Sequence, residues 1–158
     1  MQLTQFTDLS LRLLIYLARL PEPGLATIAE IADYHQISRN HLVKVANSLA
    51  NEGFIMTTRG KGGGIQLARP AYAIGLGEVV RRTEQNMNLV ECFDIPNNHC
   101  RLIRNCFLKA TLYEAQRAFM SVLDKYTLAD AASVGGNNGI FDKHAEIPID
   151  SNKLLVVE

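Results

Sequence analysis

The sequence predicts a mainly α-helical protein that carries a small two-stranded β-wing, with a long helix further along the chain. Two short amphipathic segments separated by a tight turn indicate paired helices, and a strand–glycine–strand segment directly after them indicates a hairpin. A narrow apolar stripe from Phe107 to about Ala132 indicates the long helix. Because 47% of the 158 residues are apolar, the chain can bury a substantial core.

The first two helices are predicted from apolar spacing and from capping residues. The first runs from Asp8 to Leu20, with Thr7 or Asp8 as its N-cap. The second begins at Thr27, whose spacing to Glu30 is that of a capping box, in which side chain and backbone cap each other.

The third helix and the hairpin complete the N-terminal pattern. Ser38 is predicted to cap the third helix and Gly53 to end it. Residues 54–58 and 65–68 are rich in strand formers, and the basic, glycine-rich segment 59–64 between them forms the tip of a hairpin. Two helices joined by a short turn and followed by such a wing are typical of a winged helix-turn-helix domain that binds DNA.

The chemistry for reading DNA is concentrated at the start of the third helix and in the wing. Arg pairs with guanine and Asn with adenine in the major groove, while a narrow minor groove attracts basic side chains. Ser38 is better suited to capping the helix than to contacting bases. The alternative interpretation of Arg39, Asn40 and Lys44 is that they form an ordinary solvent-exposed helix face. The predicted DNA-binding residues are Ser38, Arg39, Asn40, His41, Lys44, Arg59, Lys61 and Gly62.

The charges are segregated although the formal net charge is zero. From residue 39 to residue 69 the only acid is Glu52, against five basic residues, whereas acids predominate from Asp130 onward. Neutrality argues against indiscriminate coating of nucleic acid, but a local positive face is enough for specific binding.

The remaining composition indicates where the protein works and what it does not do. The chain has no apolar run of about 18 residues and no secretory signal pattern at its start, so we expect a cytoplasmic protein without a membrane span. Four histidines, His35, His41, His99 and His144, show no evident catalytic arrangement with carboxylates or nucleophiles, so we do not expect an enzyme.

Three cysteines, Cys92, Cys100 and Cys106, lie in one polar segment between two predicted helices. An odd number of cysteines does not indicate a disulfide framework, and the close pair that usually begins a zinc site is absent. Thiolates spread over a loop suit an iron–sulfur cluster, which usually takes four protein ligands. From spacing alone, a cluster, redox-active or buried free thiols, and zinc remain open.

These motifs together resemble the Rrf-type winged-helix regulators, and in particular their nitric-oxide-sensing repressors. The resemblance covers nearly the whole chain except about residues 135–151. It rests on Met1–Asp8, Ser38–Lys44, Arg59–Gly64 and the three cysteines, with Tyr126–Asp130 and Lys153–Glu158 matching the nitric-oxide-sensing branch specifically.

The resemblance implies a homodimer with swapped or crossed long helices that represses transcription at a palindromic operator of double-stranded DNA. It further implies a [4Fe-4S] cluster held by Cys92, Cys100 and Cys106 together with Asp8 of the partner subunit, and nitric oxide as the signal. A related branch holds a [2Fe-2S] cluster with a histidine three residues beyond the last cysteine, where this chain has Lys109. His99 is the second choice for the fourth ligand.

The implied organisation has four parts: a winged-helix DNA-binding domain (1–76), a connecting helix with the cluster-binding loop (77–106), a dimerisation helix (107–132) and a flexible tail (133–158). Packing of the 107–132 helix on its own N-terminal domain is the alternative to dimerisation. Arg12 lies one turn beyond Asp8 and is predicted to pair with it whenever that carboxylate does not bind iron. Other functions left open are a redox regulator with no cluster or a different one, and a module that binds a protein instead of DNA.

Overall fold

The computed structural model describes residues 2–21, 24–60, 62–102 and 105–133. Its helices are α1 (Gln5–Arg19), α2 (Ile28–His35), α3 (Arg39–Asn51), α4 (Leu76–Thr83), α5 (Phe107–Leu123) and α6 (Leu128–Ser133); its strands are β1 (Ile55–Thr58) and β2 (Gly64–Leu67). This architecture confirms the prediction of a mainly helical winged helix-turn-helix fold. The predicted tail, apart from Ser133, lies outside the described residues, as does the wing residue Lys61.

The core lies between α1, α2, α3 and the wing. Each of the three helices buries one apolar stripe, and α1 packs against α3, α4, α6 and β2. The least exposed large side chains of this core are Leu13, Leu14, Ile31, Leu42, Leu49, Phe54, Ile74 and Leu128. Because α1 packs directly against α3, its position is tied to that of the helix-turn-helix.

The wing is an antiparallel hairpin whose register pairs Ile55 with Leu67 and Thr58 with Gly64. A third segment joins its edge, because the backbones of Ala26 and Ile65 exchange hydrogen bonds of 3.0 and 2.7 Å. The approach is close enough that a Cβ at Gly64 would lie 2.6 Å from the carbonyl oxygen of Ala26.

Two predicted caps are confirmed and one is corrected. Thr27 and Glu30 form the capping box of α2, and Gly53, with φ of +74°, follows the end of α3. At α1 the prediction of Thr7 or Asp8 as the N-cap is wrong: the helix begins earlier, and the side chain of Thr4 accepts the hydrogen bond from the Thr7 amide. Asp8 therefore lies in the first turn of α1.

The prediction of one helix from Phe107 to about Ala132 is also wrong. α5 ends at Leu123, and α6 begins at Leu128. Between them the backbone at Thr127 forms a bridge with Gly75, and the amide of Leu128 donates to the carbonyl of Ile74 at 2.7 Å. The break inserts Leu128 into the core of the N-terminal domain, where it is completely buried.

No helix among the described residues is long and apolar enough to cross a membrane.

Candidate nucleic-acid interface and cluster-binding segment

The residues predicted to read DNA lie on the outer face of α3. Leu42 and Val45 turn inward and are buried, which leaves the opposite side of the helix to the solvent. Ser38 is the N-cap residue, but its side chain makes no capping hydrogen bond. All five predicted residues are exposed: Ser38, Arg39, Asn40, His41 and Lys44. The fold thus presents guanidinium, amide, imidazole and ammonium groups side by side at one helix start.

The tip of the wing is a tight glycine turn. Gly60 and Gly62 have φ of +103° and +81°, a left-handed region that favours glycine, and both are exposed. A Cβ at Gly63 would collide with the carbonyl oxygen of Thr58. The exposed Arg59 precedes this turn, so the backbone at the tip can approach a nucleic-acid groove closely beside a cation.

The three cysteines lie along the segment that leads into α5, and all three are free thiols. Cys92 lies in a short 3-10 turn and is buried, whereas Cys100 and Cys106 are half-buried. Cys106 is the N-cap of α5, and its Sγ accepts a hydrogen bond of 3.4 Å from the amide of Lys109. The segment therefore carries three free thiols, one of them anchored at a helix start.

His99, the second choice for the fourth ligand, is tied to Glu91. Its amide donates to Oε1 of Glu91 at 2.6 Å, and its Nδ1 lies 3.6 Å from the same oxygen. The imidazole is 90% exposed. The contact between Glu91 and His99 joins the two ends of the loop that runs from Cys92 to Cys100, and the imidazole faces the solvent.

Asp8 forms the ion pair with Arg12 that the sequence predicts. Nε and Nη2 of Arg12 lie 3.0 and 2.9 Å from Oδ1 and Oδ2 of Asp8. The Asp8 side chain is 48% exposed, so a second chain can reach its carboxylate.

The start of α1 is fixed by a residue that sequence reasoning missed. Oε1 of Glu84, at the C-terminal end of α4, accepts hydrogen bonds from the amide of Thr4 at 2.7 Å and from its hydroxyl at 3.1 Å. Glu84 thus performs for α1 the role that the fourth residue of a capping box performs within one helix. The contact joins the start of α1, the helix that carries Asp8, to the end of α4, after which the chain enters the cysteine segment.

The donor chemistry fits an iron–sulfur cluster, because three free thiols lie in one segment and a half-exposed carboxylate lies elsewhere in the chain. Within the described part of a single chain, no three Cys, His, Asp or Glu side chains converge on one point where a metal ion would fit. The described structure therefore places the three thiols in one segment but does not bring them together at one point.

α5 has no buried residue, although it is the longest helix of the described chain. Several of its apolar side chains are exposed, including Phe107 at 85% and Leu108 at 62% exposure, with Tyr113 and Val122 about half exposed. A shallow groove of about 640 Å³ runs along the same helix beside Tyr113 and Arg117. Such an uncovered apolar face is typical of an interface.

The fold and the exposed face of α3 define a transcription regulator of the winged helix-turn-helix class. The chain belongs to the Rrf2 family, described as an iron-dependent transcriptional regulator, whose profile matches residues 3–133. It is thus a transcriptional regulator, which implies DNA binding, and not an enzyme.

Within that family the chain is similar to regulators named NsrR. It is 49% identical over 130 residues to the HTH-type transcriptional regulator NsrR of Bacillus subtilis, covering 82% of this chain and 89% of that one. It is 48% identical to NsrR of Shouchella clausii, covering 82% and 87% of the two chains. Among solved structures it resembles CymR, the global cysteine regulator of B. subtilis, with a TM-score of 0.72, 26% identity and coverage of 86% and 99%.

Proposed function

We propose that this chain is a cytoplasmic, dimeric repressor that binds a palindromic operator and releases it when nitric oxide attacks an iron–sulfur cluster. The observation that carries the proposal is the set of three free thiols in the segment entering α5, in a chain so similar to NsrR. The ligands would be Cys92, Cys100 and Cys106, with Asp8 of the partner subunit as the fourth. A [4Fe-4S] cluster agrees with this ligand set, and a [2Fe-2S] cluster is the alternative.

The dimer is supported by the uncovered apolar side chains of α5. Pairing α5 with its copy would remove these side chains from water, which is worth roughly 25 cal/mol per Å² of apolar surface. The same pairing would bring the cysteine segments of both chains close to the interface, because each segment leads directly into α5.

The chain's own residues would supply binding and release. In this proposal Asp8 exchanges between Arg12 of its own chain, with which it forms an ion pair, and the partner subunit's cluster. When bound, a cluster would supply iron that nitric oxide attacks readily. A carboxylate is a weaker, harder ligand than thiolate, so Asp8 suits a position that must be given up. Once released it returns to Arg12, and the spacing of the two α3 helices changes relative to half-sites about one helical turn apart.

DNA contact is assigned to Arg39, Asn40, His41 and Lys44 on α3 and to Arg59, Lys61 and Gly62 in the wing, with Ser38 at the helix start where its amide neighbours could hold a phosphate. The exposure of these α3 residues and of Arg59 and Gly62 supports the assignment.

The test is anaerobic purification followed by iron and sulfide assays, absorbance spectra and operator binding during a nitric oxide titration. We expect a coloured dimer whose operator affinity falls as nitric oxide is added. Asp8→Ala should lose its cluster faster, whereas Asp33→Ala, which removes an exposed carboxylate on α2, should behave as the wild type. Colourless, metal-free protein with unchanged operator affinity would refute the proposal. If His99→Ala destabilises the cluster and Asp8→Ala does not, His99 is the fourth ligand.

A further inference from the structure

α3 carries two exposed residues besides those already assigned to DNA contact, Val43 and Asn47. Val43 is 40% exposed, although it is apolar and lies in the middle of the helix. A single exposed valine is ordinary on a folded protein, so its exposure does not by itself indicate a role. The position of Val43 on the helix, and the residues beside it, are what indicate one.

The two residues lie on the side of α3 that faces away from the core. The residues that α3 buries form one stripe: Leu42, Val45, Ala46 and Leu49. With about 3.6 residues per turn, Asn40 and Asn47 lie opposite that stripe, and Val43 lies beside the line that joins them. Asn40, Val43 and Asn47 are all exposed, so an amide, an apolar side chain and a second amide follow one another along one helix face.

The polar groups of this face have no partners in the described part of the chain. The amides of Asn40 and Asn47 and the ammonium group of Lys44 form no hydrogen bond or ion pair there. The helix from Arg39 to Asn51 contains no acidic residue. The face therefore offers unused donors, a cation and one apolar side chain to a negatively charged partner.

The major groove of B-DNA has a matching group for each of these side chains. It is wide enough to admit an α-helix, and a carboxamide can pair bidentately with N6 and N7 of adenine. The C5-methyl group of thymine is the apolar group on the base edges of this groove. Because the side chain of Val43 can neither donate nor accept a hydrogen bond, the thymine methyl group is the base feature that suits it.

We propose that Val43 and Asn47 determine operator specificity. Val43 packs against the C5-methyl group of a thymine, and Asn47, one helical turn further along α3, pairs with a nearby adenine. Each half-site of the operator would therefore contain a thymine and an adenine at these two positions. The inference rests on the DNA binding of the proposed function, but it does not depend on which cluster the protein holds.

The experiment begins with selection of binding sites from a randomised duplex library by the anaerobically purified protein. Each thymine of the selected half-site is then replaced by deoxyuridine, which lacks only the C5-methyl group. Each adenine is replaced by 7-deazaadenine, which lacks the N7 acceptor. Affinities are measured for wild type, Val43→Ala, Val43→Ile and Asn47→Ala. Alanine is the best helix former, and both sites are exposed, so we expect the alanine variants to keep α3 folded.

At one thymine, deoxyuridine should weaken wild-type binding about fourfold, as expected for one methyl group taken out of water, and should not affect Val43→Ala. Val43→Ile keeps an apolar contact and should still distinguish the two bases. At one adenine, 7-deazaadenine should weaken wild-type binding about fivefold, because it removes one hydrogen bond of a bidentate pair, and should not affect Asn47→Ala. The remaining positions of the half-site are internal controls, at which all four proteins should respond alike.

The outcomes separate this inference from the proposed function. If the wild type enriches no sequence from the library, operator binding itself fails. If the wild type selects an operator but Val43→Ala distinguishes thymine from deoxyuridine as the wild type does, the role of Val43 is overturned alone. The role of Asn47 is overturned in the same way if Asn47→Ala still responds to 7-deazaadenine. Should an alanine variant not fold, a wild type that tolerates every deoxyuridine or every 7-deazaadenine overturns the corresponding role.

Discussion

One substitution made at two leucines distinguishes α6, which buries a leucine in the core of its own chain, from α5, which leaves one largely exposed. Leu128, on α6, is completely buried in the N-terminal core, whereas Leu108, on α5, is 62% exposed. Truncating a buried leucine to alanine removes its favourable transfer from water and leaves a cavity, at a cost of about 3–5 kcal/mol. We therefore expect Leu128→Ala to lower the free energy of unfolding by about 3 kcal/mol. Leu108→Ala should cost at most about 1 kcal/mol within one chain, because little of its surface is buried there.

The assay is urea unfolding followed by circular dichroism at two protein concentrations about a hundredfold apart. The loss in Leu128→Ala should be the same at both concentrations. If α5 pairs with its copy, Leu108→Ala should instead reduce the dependence of the midpoint on protein concentration, because it weakens association. Equal losses of about 3 kcal/mol at both sites, independent of concentration, would mean that α5 packs on its own chain. A loss below about 1 kcal/mol in Leu128→Ala would refute the docking of α6.

Three further predictions concern single polar contacts. Thr27→Ala should cost about 1 kcal/mol of stability by removing the cap of α2. It should also raise the pKa of Glu30, which hydrogen bonds to Thr27 hold below its usual value. Because this pKa is lower in the folded state, the difference in thermal unfolding between variant and wild type should be present at pH 7 and diminish as the pH falls through the acid range. Arg81→Ala should return the pKa of Asp124, lowered by their hydrogen bonds of 2.5 and 2.8 Å, to its ordinary value in a carboxyl NMR titration. Arg59→Ala should weaken operator binding on any sequence and reduce the slope of log affinity against log salt by about 1; an unchanged slope would remove Arg59 from the phosphate contacts.

The N-terminal half could be predicted because its signals are local. The Thr27–Glu30 spacing, the glycines of the wing and the apolar stripes of the first three helices each act within a few residues, and the fold uses them as predicted. The break between α5 and α6 was missed, because the contacts that bury Leu128 come from residues more than 50 positions away in the sequence. The apolar stripe ran on past Leu123 without interruption. The spacing of Thr127 to Asp130, in which hydroxyl, amide and carboxylate hydrogen-bond reciprocally, was the local signal for a new helix start.

In the candidate site, too, the features with a local sequence signal could be predicted and those that depend on distant residues could not. The free thiols and the Asp8–Arg12 pair follow from residue type and helical spacing. The contact of Glu84 with Thr4 joins residues 80 positions apart, so no local pattern reveals it.

The contact between Glu84 and Thr4 also bears on how a signal would spread from Asp8. α1 is fixed at its first residues by Glu84, packs along its length against α3, α4 and β2, and at Arg19 donates to the carbonyl of Ala132 beside α6 at 3.0 Å. A helix restrained at both ends cannot respond to a pull on its first turn by fraying alone. If Asp8 is drawn towards a partner subunit, the displacement therefore reaches the helix-turn-helix and, through Glu84, the stem of the cysteine segment in the same chain. Each subunit would then sense the occupancy of both clusters, so the two subunits of a dimer should release DNA together rather than one at a time.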